Sequence, residues 1–124
     1  MDFTQNDNSK TFYSLAQIEA LAGLDSTFVT EIIETFKIVT PNYLDQIRDG
    51  LFSKDFKAIQ HAAHQMKPTM DILEIAGAME LVREIEMDAM RQNPNAAKLE
   101  HDFKQIKQII TAVIQDLEIR FKKN

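Results

Sequence analysis

The last quarter of the chain carries apolar residues that recur every three or four positions. They are Leu99, Phe103, Ile106, Ile110, Val113, Leu117 and Phe121. This spacing places them on one face of an α-helix, because the helix turns once in about 3.6 residues. Asn93 and Pro94 are a capping residue followed by proline at the first helical position, so we expect the helix to start there. A helix with one apolar face must bury that face against other elements.

Two more helices are predicted in the first half of the chain. Ser14 is a good N-cap and Gly23 a good C-terminal cap, and together they bound a short first helix. Asp25 can cap a second helix, whose stripe resumes beyond Pro41. Because proline lacks the N–H donor and clashes with the preceding turn, we expect one long helix over residues 25–51, kinked at Pro41. Its stripe is Phe28, Ile32, Ile33, Phe36, Val39, Leu44, Ile47 and Leu51.

The middle of the chain adds a third helix, starting near Ser53, and a fourth after a short break. Their stripes are Phe56, Ile59, Ala63, Met66 and Met70, and then Ile75, Ala78, Met79, Val82, Ile85 and Ala89. Four long helices with short connections and one apolar stripe each are typical of an antiparallel four-helix bundle. We therefore predict an all-α fold, an antiparallel four-helix bundle with a short additional N-terminal helix as a lid on one end.

Size, charge and composition narrow the classes of partner. A chain of 124 residues suits one core, so we expect a flexible N-terminal tail over residues 1–12 and one domain over residues 13–124. The net charge of -5 and the scattered basic residues argue against nucleic acid. The absence of cysteine excludes disulfides and fits the cytoplasm. No apolar run approaches the roughly 18 residues of a membrane span, and the first residues do not resemble a secretory signal.

The histidines are the candidate reactive groups. At about 100° per residue, His64 points roughly 130° away from the mean direction of the third helix's stripe, and His61 points almost straight outward. An exposed imidazole is largely neutral and nucleophilic at pH 7. Exposure alone does not distinguish a reactive histidine from an idle surface one.

The residues that follow His64 make it the stronger candidate. Lys67 neighbours it on the helix surface, where its ammonium can attract and partly neutralise a phosphoryl group. Pro68 cannot donate to the His64 carbonyl, so the helix should bend just beyond the histidine. Taken singly, Lys67 is better explained as a solvated surface charge, and Pro68 as a residue that only shapes the helix. Candidate docking or polar neighbours are His61, Gln65 and Thr69.

The segment Ala63-His64-Gln65-Met66-Lys67-Pro68-Thr69 resembles the phosphoacceptor motif of histidine-containing phosphotransfer (HPt) domains. In that motif an apolar residue, a lysine, and then a glycine or in some branches a proline follow the histidine. Residues 70–75 look like the link to the next helix, and the resemblance extends over roughly residues 13–122. Pro68 stands where many members have glycine, which should change how closely a partner approaches. Glu74 stands where many have glycine in the turn between helices, and it should alter only that turn.

The resemblance implies an intermediate of a two-component phosphorelay. His64 would take a phosphoryl group from a receiver-domain phosphoaspartate and pass it to another receiver aspartate, and Lys67 would support the phosphoryl group. The implied partners are receiver domains of response regulators and of hybrid sensor histidine kinases, with Mg²⁺ on the receiver and neither cofactor nor metal on this chain. The sequence has no P-loop or glycine-rich nucleotide loop, so we expect a carrier rather than an enzyme. Because each apolar stripe is buried against the other helices of the bundle, no apolar face is left for a second copy, and we expect a monomer.

Three alternatives stay open on the sequence alone. His61 and His64 are three residues apart, a spacing that can chelate a metal, although no Glu-x-x-His pair stands on another helix. The chain could instead be a phosphorylation-inactive adaptor that binds a receiver without accepting the phosphoryl group. It could also be a bundle with no phosphoryl role.

Overall fold

A computed structural model describes residues 13–23 and 25–121, and this part of the chain contains helices and no strand. The predicted flexible tail, residues 1–12, lies outside the described residues. The all-helical prediction is confirmed. The helices are α1 (Ala16–Ala22), α2 (Ser26–Ser53), α3 (Phe56–Ile72), α4 (Ala78–Ala89) and α5 (Ala96–Arg120).

The four long helices form a closed ring in which α2 packs on α3, α3 on α4, α4 on α5 and α5 back on α2. Short connections make successive helices antiparallel, as predicted. The residues of the predicted stripes are buried or partly buried, except that Phe28, near the start of α2, is exposed. The largest fully buried side chains are Ile18, Ile33, Ile47, Ile59, Met66, Met70, Leu73, Ile85, Leu99, Ile106, Ile110 and Leu117.

α1 covers one end of the bundle, where α3 and α5 end. It begins at Ala16, and Leu15 rather than the predicted Ser14 holds the N-cap position, although Ser14 Oγ accepts from Ala16 N at 3.1 Å. The backbone N–H of Ser14 donates to Leu73 O at 2.8 Å. The hydroxyl of Tyr13 bonds to the Asp116 carboxylate on α5. Burial and that carboxylate raise the pKa of Tyr13 to about 12, so its hydroxyl stays protonated.

α2 and α3 meet at a tight corner, which corrects one predicted boundary. Asp25 caps α2 as predicted, and the helix continues through Pro41. Ser53 is the last residue of α2 rather than the start of α3, and Asp55 caps α3 by accepting from Ala58 N at 3.1 Å. Gly50 makes the corner possible, because a Cβ there would lie 2.6 Å from Ile59 Cγ1.

The starts of α4 and α5 also differ from prediction. Ile75 is buried, but it lies in the turn before α4, which begins after Gly77 in the left-handed region with φ of 75°. The Asn93–Pro94 start is wrong by two residues. Asn95, in extended conformation, caps α5 by accepting from Lys98 N at 3.1 Å. Its side chain supplies the same capping chemistry as Asn93 and is the one aligned with the helix.

A partly buried ion network joins the end of α4 to the start of α5. Lys98 Nζ donates to Asp88 Oδ2 at 2.6 Å and to Asp102 Oδ2 at 2.9 Å, and both aspartates are buried. It also donates to Glu84 Oε1 at 2.7 Å, while Arg91 Nε donates to Asp88 Oδ1 at 2.9 Å. Burial raises the pKa of Asp88, but the hydrogen bonds from Lys98 and Arg91 outweigh it and hold this pKa below its usual value. Asp88 therefore stabilises the fold when ionised.

Glu74, the predicted departure from glycine, lies in the turn between α3 and α4 with φ of 49°. A residue with a Cβ is disfavoured in this left-handed region by about 1 kcal/mol or more. The turn thus keeps a conformation that suits glycine while carrying a glutamate.

Replacing Lys98 with methionine should lower the free energy of unfolding by about 2 kcal/mol at pH 7, because two buried carboxylates lose a cation. In the wild type, the contribution of Asp88 is present above its unfolded pKa of about 3.9 and is lost as the pH falls through the lower folded value. In the variant, carboxylates left without Lys98 favour protonation in the folded state, so the deficit should shrink between pH 7 and pH 5.

Urea unfolding at the two pH values measures this deficit. Lys104→Met is the control, because Lys104 pairs with Glu100 at the exposed surface. An equal deficit for Lys98→Met at both pH values would contradict the assignment.

Glu74→Gly should raise the free energy of unfolding by about 0.5 to 1 kcal/mol, because it removes the left-handed strain at a smaller entropic cost. The matched control is Glu80→Gly in the first turn of α4, which should lower it by about 1 kcal/mol. Thermal unfolding followed by circular dichroism compares the two. A less stable Glu74→Gly protein would refute this reading of the turn.

Candidate functional site

His64 lies in the middle of α3, beside residues that anchor the helix in the core. Its neighbour Ala63 is fully buried, and Met66 is almost so. The His64 side chain is 57% exposed. The predicted outward orientation is confirmed, and a partner protein can reach the ring.

The ring of His64 is held by a carboxylate from the adjacent helix. Nδ1 lies 2.7 Å from Oε2 of Glu86, on α4. An ionised carboxylate only accepts hydrogen bonds, so Nδ1 carries the proton at this contact. In the neutral ring, Nε2 then carries the lone pair, on the far edge from Glu86. The arrangement leaves one nitrogen anchored and the other available as a nucleophile.

Lys67 approaches the same carboxylate from the other side. Its Nζ donates to Glu86 Oε1 at 2.9 Å, and Gln60 Nε2 is 3.4 Å from Oε2. The hydrogen bond from Lys67, opposed by burial and helped by His64, holds the pKa of Glu86 below its usual value. Glu86 is only 13% exposed and Lys67 30% exposed, so both ends of this contact are partly shielded from water. Lys67 adjoins His64 as predicted, and its ammonium is turned toward Glu86.

The other predicted site residues are spread around α3. His61, Gln65 and Pro68 are exposed, and α3 continues past Pro68 to Ile72. Thr69 is half-buried and lines an apolar groove between α2 and α3 with Phe28, Ile32 and Phe36. The structure thus brings His64 and Lys67 together through Glu86, and it gives His61, Gln65 and Thr69 no hydrogen bond to that group among the described residues.

Glu86 is the residue that sequence reasoning missed. It flanks the apolar stripe of α4, next to buried Ile85 and four residues after buried Val82. An acidic residue at the edge of a stripe is ordinary in an amphipathic helix. The sequence did indicate that α3 and α4 are consecutive and antiparallel, so that residues at the edge of the α4 stripe face α3. It does not show which residue of α4 lies opposite His64.

Within the described ranges, the one close group of metal-type ligands is Glu84, Asp88 and Asp102. The ammonium of Lys98 already contacts all three carboxylates. Neither His61 nor His64 belongs to this group. The alternative of a histidine metal site gains no support from these contacts, and the expectation that the chain carries no metal remains a prediction.

Fold and site together define a helical-bundle protein that presents one oriented histidine to a partner. The family model for the Hpt domain matches residues 31–116, more than half of the chain. The chain belongs to the Hpt domain family, whose members serve in histidine phosphotransfer and bind receiver domains in phosphorelays. No curated protein and no solved structure matches the chain significantly. Among the described helices, none has an apolar stretch long enough to cross a membrane.

Imidazole nitrogen shifts test the site geometry directly. In long-range ¹H–¹⁵N spectra recorded with the imidazole ring neutral, His64 should show a protonated Nδ1 and an unprotonated Nε2, because Glu86 accepts from Nδ1. Glu86→Ala, which removes the acceptor, should raise the population of the other tautomer. His61 serves as the internal control, since no carboxylate of the described residues contacts it. A His64 ring with the same tautomer populations as His61 would disprove the contact.

Proposed function

We propose that this chain is a histidine phosphotransfer protein of a two-component phosphorelay. His64 accepts a phosphoryl group from the phosphoaspartate of one receiver domain and passes it to the aspartate of another. The proposal is supported by membership of the Hpt family and by one observation above all. A half-exposed imidazole stands in the middle of α3 with its Nδ1 edge anchored on Glu86.

The chemistry proposed for His64 needs only an oriented nucleophile on this chain. The lone pair on Nε2 attacks phosphorus, an N–P bond forms, and the P–O bond to the donor carboxylate breaks with its electron pair going to that carboxylate. The second transfer reverses these steps toward the acceptor aspartate. Lys67 has two further N–H donors beyond the one on Glu86, and these can meet a phosphoryl oxygen.

The partners we propose are receiver domains of response regulators and of hybrid sensor histidine kinases. The receiver supplies Mg²⁺ and the phosphorylatable aspartate, and this chain supplies the histidine and the surface around it. The absence of nucleotide-binding motifs supports a carrier that does not phosphorylate itself. The absence of cysteine fits a relay in the cytoplasm, with the bundle acting as a monomer.

Incubation with a phosphorylated receiver domain tests the proposal. The wild-type protein should acquire acid-labile, base-stable label, and His64→Gln should lose it, because the amide offers no nucleophilic ring nitrogen. His61→Gln is the matched control, an exposed histidine one turn earlier on α3, and it should keep most of the label.

Two results would overturn parts of the proposal. Label that persists in His64→Gln removes the site assignment. A wild-type protein that binds a phosphorylated receiver and never takes label is the phosphorylation-inactive adaptor.

A further inference from the structure

We propose that residues 1–12 of this chain fold back onto the bundle and place Phe3 in the apolar groove between α2 and α3. The groove is then an intramolecular docking site, covered by the N-terminal segment of the same chain. This occupancy does not depend on whether His64 carries a phosphoryl group. A partner protein that needs the α2–α3 face has to displace the segment first.

The groove follows the flank of α3 that faces α2, and its volume is about 330 Å³. Most of its lining is apolar, including Ile32 and Val39 from α2 and Ile72 from α3, which are all partly buried. Phe28 lies in the same lining and is 42% exposed. Covering these side chains removes apolar surface from water, so an apolar occupant is favoured.

The lining of the groove also contains a buried hydroxyl. Thr40 is only 2% exposed. Within residues 13–23 and 25–121, no group forms a hydrogen bond with its side chain. Buried polar groups nearly always have a partner, and a hydroxyl can both donate and accept. The occupant of this groove therefore has to bring a hydrogen-bonding group together with an apolar side chain, as a peptide segment does.

The described part of the chain begins at the end of the bundle that adjoins the groove. The backbone N–H of Ser14 donates to Leu73 O at 2.8 Å, and Leu73 lines the groove. Phe3 precedes Ser14 by eleven residues, so an extended segment can carry it about 36 Å. Along α2 the groove lining extends from Phe28 to Thr40, which is about 18 Å of helix. The segment is therefore long enough to reach every part of the groove.

The composition of the segment identifies the side chain that enters the groove. Met1 and Phe3 are the apolar residues of positions 1–11, and the other nine are polar or charged. Alternate side chains of an extended segment point to the same side, so Met1 and Phe3 face the groove together. The backbone groups between them can bond to the Thr40 hydroxyl. Phe12 directly precedes the first described residue, so it cannot reach along the groove.

Covalent attachment favours this segment over a free peptide. A short flexible linker holds a tethered group at an effective concentration in the millimolar range. The contact therefore needs only millimolar affinity, which is a modest demand on one buried aromatic side chain and one hydrogen bond. A second copy of the chain at micromolar concentration competes poorly with a tethered segment.

Paramagnetic broadening tests the inference in the full chain. The protein has no cysteine, so a nitroxide attached to Asn6→Cys is its single spin label. The methyl resonances of Ile32 and Ile72 should lose most of their intensity, because both side chains line the groove. Leu51 is the internal control, since it is also partly buried but lies near the other end of α2. Its methyl intensities should be retained.

Three further substitutions in the spin-labelled chain test which groups make the contact. Phe3→Ser should restore the intensities of Ile32 and Ile72, because the segment loses its apolar side chain. Gln5→Ser is the matched control from the same segment and should leave the broadening in place. Thr40→Val keeps the shape of the side chain and removes the hydroxyl, so it should restore the intensities in part.

Several results would overturn the inference. Unchanged intensities at Ile32 and Ile72 leave the groove to a partner protein, and equal broadening at Leu51 means that the segment has no fixed seat. Broadening that survives Phe3→Ser or is indifferent to Thr40→Val assigns the contact to other groups. Broadening in a mixture of spin-labelled chains with separate isotope-labelled chains means that a second copy supplies the segment. None of these measurements uses a receiver, so phosphoryl transfer can fail independently.

Discussion

The packing of α3 against α4 is the constraint on which the site depends. Ala63 and Met66 on one helix and Val82 and Ile85 on the other are buried almost completely. Such faces interdigitate at near-crystalline density, so neither helix can slide or rotate freely. His64 and Glu86 each stand one residue beyond a buried anchor. The apolar core therefore sets the level at which the imidazole meets the carboxylate, although neither group belongs to the core.

The site combines an exposed ring with a shielded anchor. A contact between two fully exposed groups is worth little, because water competes and both side chains lose rotamer freedom. Glu86 is 13% exposed and bonded on both oxygens, so its position is fixed before His64 makes its contact. A partly desolvated carboxylate also accepts a stronger hydrogen bond than one in bulk water. The histidine can thus remain open to a partner and still be held in one orientation.

The sequence predicted the helices and their buried faces, because buried positions recur every three or four residues along a helix and are occupied by apolar residues. It failed at boundaries where two neighbouring residues have the same capping chemistry. Asn93 and Asn95 both can cap α5, as Ser53 and Asp55 both can cap α3. The chosen residue is the one whose oxygen reaches the helix N–H in the folded chain. Glu86 escaped prediction because the register between two helices is a property of the packed core, and no single helix contains it.

A phosphoryl carrier differs from a catalyst because the same nitrogen atom must first gain and then lose the phosphoryl group. Glu86 lies 2.7 Å from Nδ1 of His64, and the hydrogen bond from Lys67 lowers the pKa of Glu86, so the carboxylate stays ionised while it accepts from the ring. In serine protease triads an aspartate fixes a histidine tautomer in the same way and stays ionised. Glu86 and His64 have that geometric relation, while Lys67 keeps the carboxylate charged.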